Sequence, residues 1–195
     1  MIAPSELTDD ELDGLLPEAL WRAARVHFTP VAVARRAVAL LAPAAGATVL
    51  DVGAGVGKFC IAAALAAPTV RFVGIEQRAH LVELGRALAR QLGATNVELI
   101  VGDALAHDWR DAAAVYLFNP FGEHADRAAP GLDGAIAPTP TQYFASRRAA
   151  RDRLAALRPG TRVASYCDDR VPPGYDLVAV DDRLVVWRRR GVSAT

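Results

Sequence analysis

Residues 48 to 58 read Thr48-Val-Leu-Asp-Val-Gly-Ala-Gly-Val-Gly-Lys58, and an apolar stretch follows to Ala67. The run from Thr48 to Val52 has the character of a buried strand; the three alternating glycines Gly53, Gly55 and Gly57 form a bare turn; the stretch after them is helical. Glycine removes the Cβ that would hold a ligand off the main chain, and the first turn of the next helix offers unpaired N–H groups and a partial positive charge to a carboxylate or phosphate. A plain strand-to-helix turn needs fewer glycines than this. The turn is therefore the first candidate for a ligand site.

Moving outward, short apolar runs alternate with helical stretches, the sequence form of a parallel sheet covered by helices. The strand candidates are 48–52, 70–75, 97–101, 113–118, 162–166, 175–180 and 184–187. Between the second and third lies a helix over 78–92, where Leu81, Leu84, Leu88 and Leu92 form one apolar stripe and Gly93 stands at the stop. Only Asp181, Asp182 and Arg183 join the last two strands, which permits a hairpin and forbids a helical crossover, so one strand must run antiparallel. Before Gly46 the pattern is helical. Thr8 with Glu11 has capping-box form, Pro17 breaks or restarts that helix, and Thr29 with Pro30 reads as a second cap followed by a helix over 31–42. The chain divides into an N-terminal helical extension, 1–45, and one α/β unit, 46–195, with no internal repeat and no long linker.

Composition narrows the function classes. With 195 residues, 52% hydrophobic and 23% charged, the chain can bury a core of its own, which excludes disorder and a disulfide scaffold. Basic and acidic residues number 22 each, so no global field draws it to nucleic acid or to an acidic membrane. The longest unbroken apolar run, Phe59 to Ala67, is far short of the roughly 20 residues a membrane span requires. An acidic N-terminal region unlike a signal peptide, and two cysteines read as free thiols, point to the cytoplasm. Arg147, Arg148, Arg151, Arg153, Arg158 and Arg162 form a basic stretch. With no aromatic residue interleaved and Asp152 interrupting it, the expectation is a solvated helix face and no nucleic-acid partner.

Glu76 closes the second strand, 23 residues after Gly53, where a carboxylate suits a two-pronged grip on ribose hydroxyls. A nicotinamide cofactor and S-adenosylmethionine both present an adenosine for this arrangement. The glycine spacing separates them. Here it is Gly-x-Gly-x-Gly after Asp51, with Lys58 following, whereas the dinucleotide fingerprint is Gly-x-Gly-x-x-Gly.

Asp51-Val-Gly-Ala-Gly-Val-Gly57, Gly74-Ile-Glu76, Gly102-Asp103 and Phe118-Asn-Pro-Phe121, in that order, resemble the motifs of the class I S-adenosylmethionine-dependent methyltransferases. The resemblance covers about 46–188. It implies a Rossmann-like seven-stranded, mostly parallel sheet with helices on both faces and the last strand antiparallel. It also implies that Gly53, Ala54, Gly55 and Gly57 face the methionine end of the cofactor, and that Asp51 supports its ammonium. Glu76 with Gln77 would hold the ribose, and Asp103 and Ala104 the adenine. Within the class, the glycine turn, Gly-Ile-Glu and the Asn-x-Phe segment are most similar to the non-SET histone-lysine methyltransferase family and related small bacterial proteins. That family's paired asparagines are Asn119-Pro120 in this chain.

Asn119 is the first polar group after the fourth strand, at the sheet edge where ligands bind in open α/β folds. Its side-chain oxygen, with the Pro120 carbonyl, can accept hydrogen bonds from an amine and aim the lone pair at a methyl group, while Phe121 stacks on a planar acceptor or covers the cofactor. Methyl transfer asks the protein mainly for alignment and desolvation, so a dedicated base is optional; Glu123 and His124 are the candidates. Residues 122–140, rich in proline and glycine, have the length of a substrate lid. The reading is thus a methyltransferase using S-adenosylmethionine, no metal and an unidentified acceptor, amine nitrogen on a protein lysine or small molecule being favoured. A nicotinamide-dependent oxidoreductase and a catalytically silent cofactor-binding module are the alternatives.

Overall fold

The computed structural model describes residues 7–118, 140–167 and 172–191. Its strands are β1 (Thr48–Val52), β2 (Arg71–Glu76), β3 (Val97–Val101), β4 (Ala114–Phe118), β5 (Arg162–Tyr166), β6 (Tyr175–Asp181) and β7 (Leu184–Arg189). They form one sheet in the order β3-β2-β1-β4-β5-β7-β6. Strands β1 to β5 pair in parallel, and β7 is inserted between β5 and β6, antiparallel to both. The short 181–183 link therefore does what its length required.

The helices are α1 (Asp9–Asp13), α2 (Glu18–His27), α3 (Val31–Leu41), α4 (Lys58–Ala66), α5 (Ala79–Gln91) and α6 (Pro140–Ala155). Strand alternation sends side chains to two cores. On one face Val49, Phe72, Ala114 and Tyr116 pack with residues of α1 to α5; on the other Leu50, Val52, Ile75, Val115 and Leu117 meet Trp109, Trp187 and the inward stripe of α6. The N-terminal helices thus share a core with the sheet. Leu81 and Leu88 of the predicted α5 stripe are buried, and Leu84 and Leu92 pack partly against the same core. Among the described residues no helix is long and apolar enough to cross a membrane.

The capping box at Thr8 forms: its hydroxyl accepts from the Glu11 N–H at 3.3 Å, and the Glu11 carboxylate accepts from the Thr8 N–H at 2.8 Å. The second cap differs from expectation. Pro30, not Thr29, is the N-cap of α3, and the Thr29 hydroxyl hydrogen bonds with the Tyr116 hydroxyl at 3.0 Å in the core. Asp9 supplies the missing cap, its carboxylate accepting from the Val31 N–H at 3.0 Å. The reason is tertiary: a buried phenol needs a polar partner, and Thr29 is the one within reach.

Candidate functional site

The sequence-predicted residues up to Ala104 converge on the carboxyl ends of β1, β2 and β3. These strands are neighbours in the sheet. Gly53, Gly55 and Gly57 all have positive φ, between 56° and 77°, so the backbone path itself demands glycine at each. The turn is pinned to β2 by the Gly53 and Ala54 N–H groups, both donating to the Ile75 carbonyl at 3.0 Å. Gly53 is exposed and has nothing within 4 Å of where a Cβ would stand, whereas a Cβ on Gly55 would meet the Phe28 ring at 2.8 Å. One side of the turn is therefore open to a ligand and the other is packed under α2's end.

Glu76 is buried, with 5% of its surface exposed, and turns back over the turn. One carboxylate oxygen accepts from the Gly55 N–H at 3.1 Å; the other accepts from the Arg78 N–H at 3.0 Å and from the Arg78 guanidinium at 3.3 Å. A carboxylate has about four lone-pair directions. Three are used among the described residues, two on the oxygen facing Arg78 and one on the oxygen facing the glycine turn.

Asp51, in the middle of the β1 register beside Gly74 and Tyr116, faces α4. Among the described residues it accepts a hydrogen bond from the Cys60 thiol, which donates at 3.6 Å, and joins no ion pair. Burial, with a smaller contribution from the Glu76 charge, pushes its carboxyl up to about 7. Burial pushes the Cys60 thiol up as well, and the thiol is a core group that also touches the site.

Gly102 ties β3 to β2, its N–H donating to the Glu76 carbonyl at 2.9 Å, so Asp103 follows directly beside Glu76. Asp103 is exposed and accepts from the Leu105 N–H at 2.8 Å. Ala104 is buried and its carbonyl accepts from the Trp109 indole at 2.8 Å, which anchors the loop. Gln77 is exposed next to Glu76. Asn119, Pro120, Phe121, Glu123, His124 and the proposed lid up to 139 lie outside the described residues.

The roles of Arg78 and Lys58 carry no signal in the local sequence pattern around either. Arg78 had been only the start of a helix, yet its guanidinium is buried on Glu76. Phe28, which the sequence reads as ordinary packing of an N-terminal helix with a cover over the cofactor as the alternative, packs under the turn. Lys58, the single lysine of the chain, is 3% exposed and reaches Asp9 and Asp13 of α1, both at 2.6 Å. Asp9 and Asp13 stand four apart on a helix, hence on one face, which was the available sign that one cation serves both.

The family described as "Methyltransferase domain" matches residues 43–119. No curated protein matches the chain. Among solved structures, an RNA methyltransferase from Salinibacter ruber in complex with S-adenosyl-L-homocysteine is 27% identical over 83% of this chain and 91% of its own, with a TM-score of 0.57. Over residues 43–119, then, the chain is similar to a methyltransferase domain. A methyltransferase from Geobacter sulfurreducens (19% identical, 91% of this chain and 94% of that one, TM-score 0.58) shares the fold. So does the putative methyltransferase yhhF from Escherichia coli (19%, 85% and 89%, TM-score 0.55).

The methyltransferase cofactor fits the residues present. A buried carboxyl that joins no ion pair among the described residues stands on β1, an open backbone turn follows it, and a second carboxylate sits one strand over. The cation, the close approach and the hydroxyls that these would take are all parts of S-adenosylmethionine.

Proposed function

We propose that the chain transfers a methyl group from S-adenosylmethionine to a nitrogen acceptor. The observation that carries this reading is the Glu76 carboxylate held against the Gly55 N–H beside the open Gly53. On it, Glu76 and Gln77 take the ribose, Asp51 takes the ammonium, and Gly53, Ala54, Gly55 and Gly57 flank the methionine end, with Asp103 and Ala104 at the adenine. Bound S-adenosylmethionine supplies a methyl already attached to its own leaving group, so this chain needs to bind, align and exclude water. Asn119, Pro120 and Phe121 are the residues proposed to orient the acceptor lone pair. A nicotinamide dinucleotide offers no ammonium to Asp51, which sets the oxidoreductase alternative below the methyltransferase.

For the carrier of the nitrogen, the Salinibacter ruber relative, an RNA methyltransferase by description, favours RNA over a protein lysine or a small molecule.

Calorimetry against S-adenosylmethionine, S-adenosylhomocysteine and NAD tests the cofactor: binding of the first two is expected, and binding of NAD alone overturns the reading. Glu76→Ala should weaken S-adenosylhomocysteine binding about a hundredfold, the worth of a hydrogen-bonded charge. Asn119→Ala should keep that affinity and lose transfer of radiolabelled methyl into cell fractions; transfer equal to wild type rejects its role and returns the silent binding module.

A further inference from the structure

Helix α6 is longer than the sheet it covers. Sixteen helical residues span about 24 Å and a five-stranded-residue rise about 17 Å, these being the lengths of α6 and of its flanking strands β4 and β5. Because β4 and β5 are parallel, with Ala114 opposite Arg162 and Phe118 opposite Tyr166, α6 must run from the carboxyl edge back to the opposite edge. Its buried residues are Ala150 and Leu154, both in its second half. The first turn and a little more, about 7 Å of helix, therefore overhangs the edge that carries Asp51 and Glu76.

From this overhang one stripe of distinct chemistry runs back along the helix. Phe144, Arg148 and Arg151 stand at i, i+4 and i+7 and so share one stripe. Phe144 is 70% exposed, the most exposed large hydrophobic side chain among the described residues. Arg148 and Arg151 are exposed and enter no ion pair among the described residues, unlike Arg158, which pairs with Asp111 at 2.6 Å. On the adjacent stripe, the Arg147 guanidinium lies over the Tyr143 ring at 5.5 Å and donates to its hydroxyl at 2.9 Å, and Tyr143 meets Phe144 edge to face. The arginine run that starts at Arg147 contains no aromatic residue. The helix begins earlier, and one turn back it carries two.

We infer that this stripe docks single-stranded RNA beside the methyl-transfer site, Phe144 stacking on a base and Arg148 and Arg151 contacting the flanking phosphates. Local charge decides for RNA over protein: Arg148 and Arg151, without an ion pair among the described residues and beside the exposed Phe144 ring, match a partner that alternates phosphates with flat apolar faces. Arg148 and Arg151 are separated by about 5 Å along the helix axis, close enough to contact neighbouring phosphates of one strand. The inference rests on the methyltransferase reading only for its position next to the site; docking itself needs no transfer.

Fluorescence anisotropy with a labelled single-stranded RNA of about ten nucleotides, of mixed sequence, tests it directly. Wild type should bind, and Phe144→Ala should weaken binding about tenfold, the worth of one stacked base. Arg148→Ala with Arg151→Ala should reduce the slope of log affinity against log salt by about 1.4, two contacts on a single strand. Phe144→Tyr should retain most of the affinity. All these side chains are exposed, and unchanged S-adenosylhomocysteine binding by each variant separates loss of docking from failure of the cofactor site. Wild-type affinity and salt slope in the variants, or no RNA binding by wild type, overturn the inference. So does a labelled acidic peptide bound in place of the RNA and lost on the same substitutions, which would make the stripe a protein-docking surface.

Discussion

Replacing Asp51 by Asn should change how the fold responds to pH. In the native state Asp51 is buried and its carboxyl titrates near 7, against 3.8 for the ordinary value. The native state therefore holds a proton that the unfolded chain has released, all the way from about pH 4 to about pH 7. Stability falls as pH rises through that window and levels off above it, the reverse of an ion-paired carboxylate. At 1.36 kcal/mol per pKa unit, the shift amounts to about 4 kcal/mol at pH 8, with no discount for solvent because only 4% of the residue is exposed. Asn does not titrate. Its amide adds a constant offset, but the difference in unfolding free energy between Asp51→Asn and wild type should grow in the variant's favour by about 4 kcal/mol between pH 4 and pH 8. Urea unfolding of both proteins across that range measures it. A difference that stays flat within about 1 kcal/mol would mean that Asp51 ionises freely in the fold and that the reasoning from burial is wrong. The same proton links to the ligand. An ammonium beside Asp51 stabilises the carboxylate, so wild-type affinity for S-adenosylhomocysteine should rise about tenfold per unit as pH approaches 7 and that of Asp51→Asn should not.

Lys58→Met should destabilise the chain by about 2 kcal/mol, less than the loss of a fully buried pair because the two carboxylates keep water contact; their side chains are 43% and 22% exposed. Hydrogen exchange of residues 9–13 should quicken at the same time, and unchanged stability with unchanged exchange would mean that Lys58 does not hold α1. Gly85→Ala sets two effects against each other. Helix propensity favours alanine by about 1 kcal/mol, and overpacking costs about 1–3. The new Cβ would lie 2.6 Å from Leu99 Cδ1 and inside contact of the rigid Val56 carbonyl, so the cost should win. Melting should fall by several degrees, at roughly 2–4 °C per kcal/mol, with weaker S-adenosylhomocysteine binding because Val56 belongs to the glycine turn; a raised melting temperature would refute the crowding.

Periodicity and punctuation made the sheet legible. The bounds of β1, β3 and β5 coincide with their apolar runs, and the remaining strands move by one or two residues at their ends, where hydrogen-bond partners rather than side-chain pattern decide the limit. The residues at the ends of β1, β2 and β3 were legible for a related reason: in a parallel sheet strand ends fall on one edge, so order along the chain becomes proximity. What the pattern does not encode is pairing across the fold. Lys58 with Asp9 and Asp13, Thr29 with Tyr116, and Phe28 against Gly55 join residues far apart in sequence, and each follows from a buried group needing a partner or a missing Cβ making room. The aromatic residues of α6 were missed for a local reason. Its start follows a stretch rich in proline and glycine, and a count begun at the first arginine omitted the turn before it.

The two carboxylates of the site are prepared in opposite ways, and that contrast bears on selectivity. Glu76 already accepts three hydrogen bonds, two of them from Arg78, so a ligand with two vicinal hydroxyls must displace the guanidinium or share the oxygen beside Gly55. Those bonds to Glu76 are the same for every ribose. Asp51 has no such competitor among the described residues: burial raises its carboxyl to about 7, and a positively charged group beside it recovers the cost of ionising it. On the proposed reading, discrimination between adenosine-bearing ligands therefore comes less from Glu76, which any ribose can address, than from Asp51, which rewards a ligand carrying an ammonium at the other end.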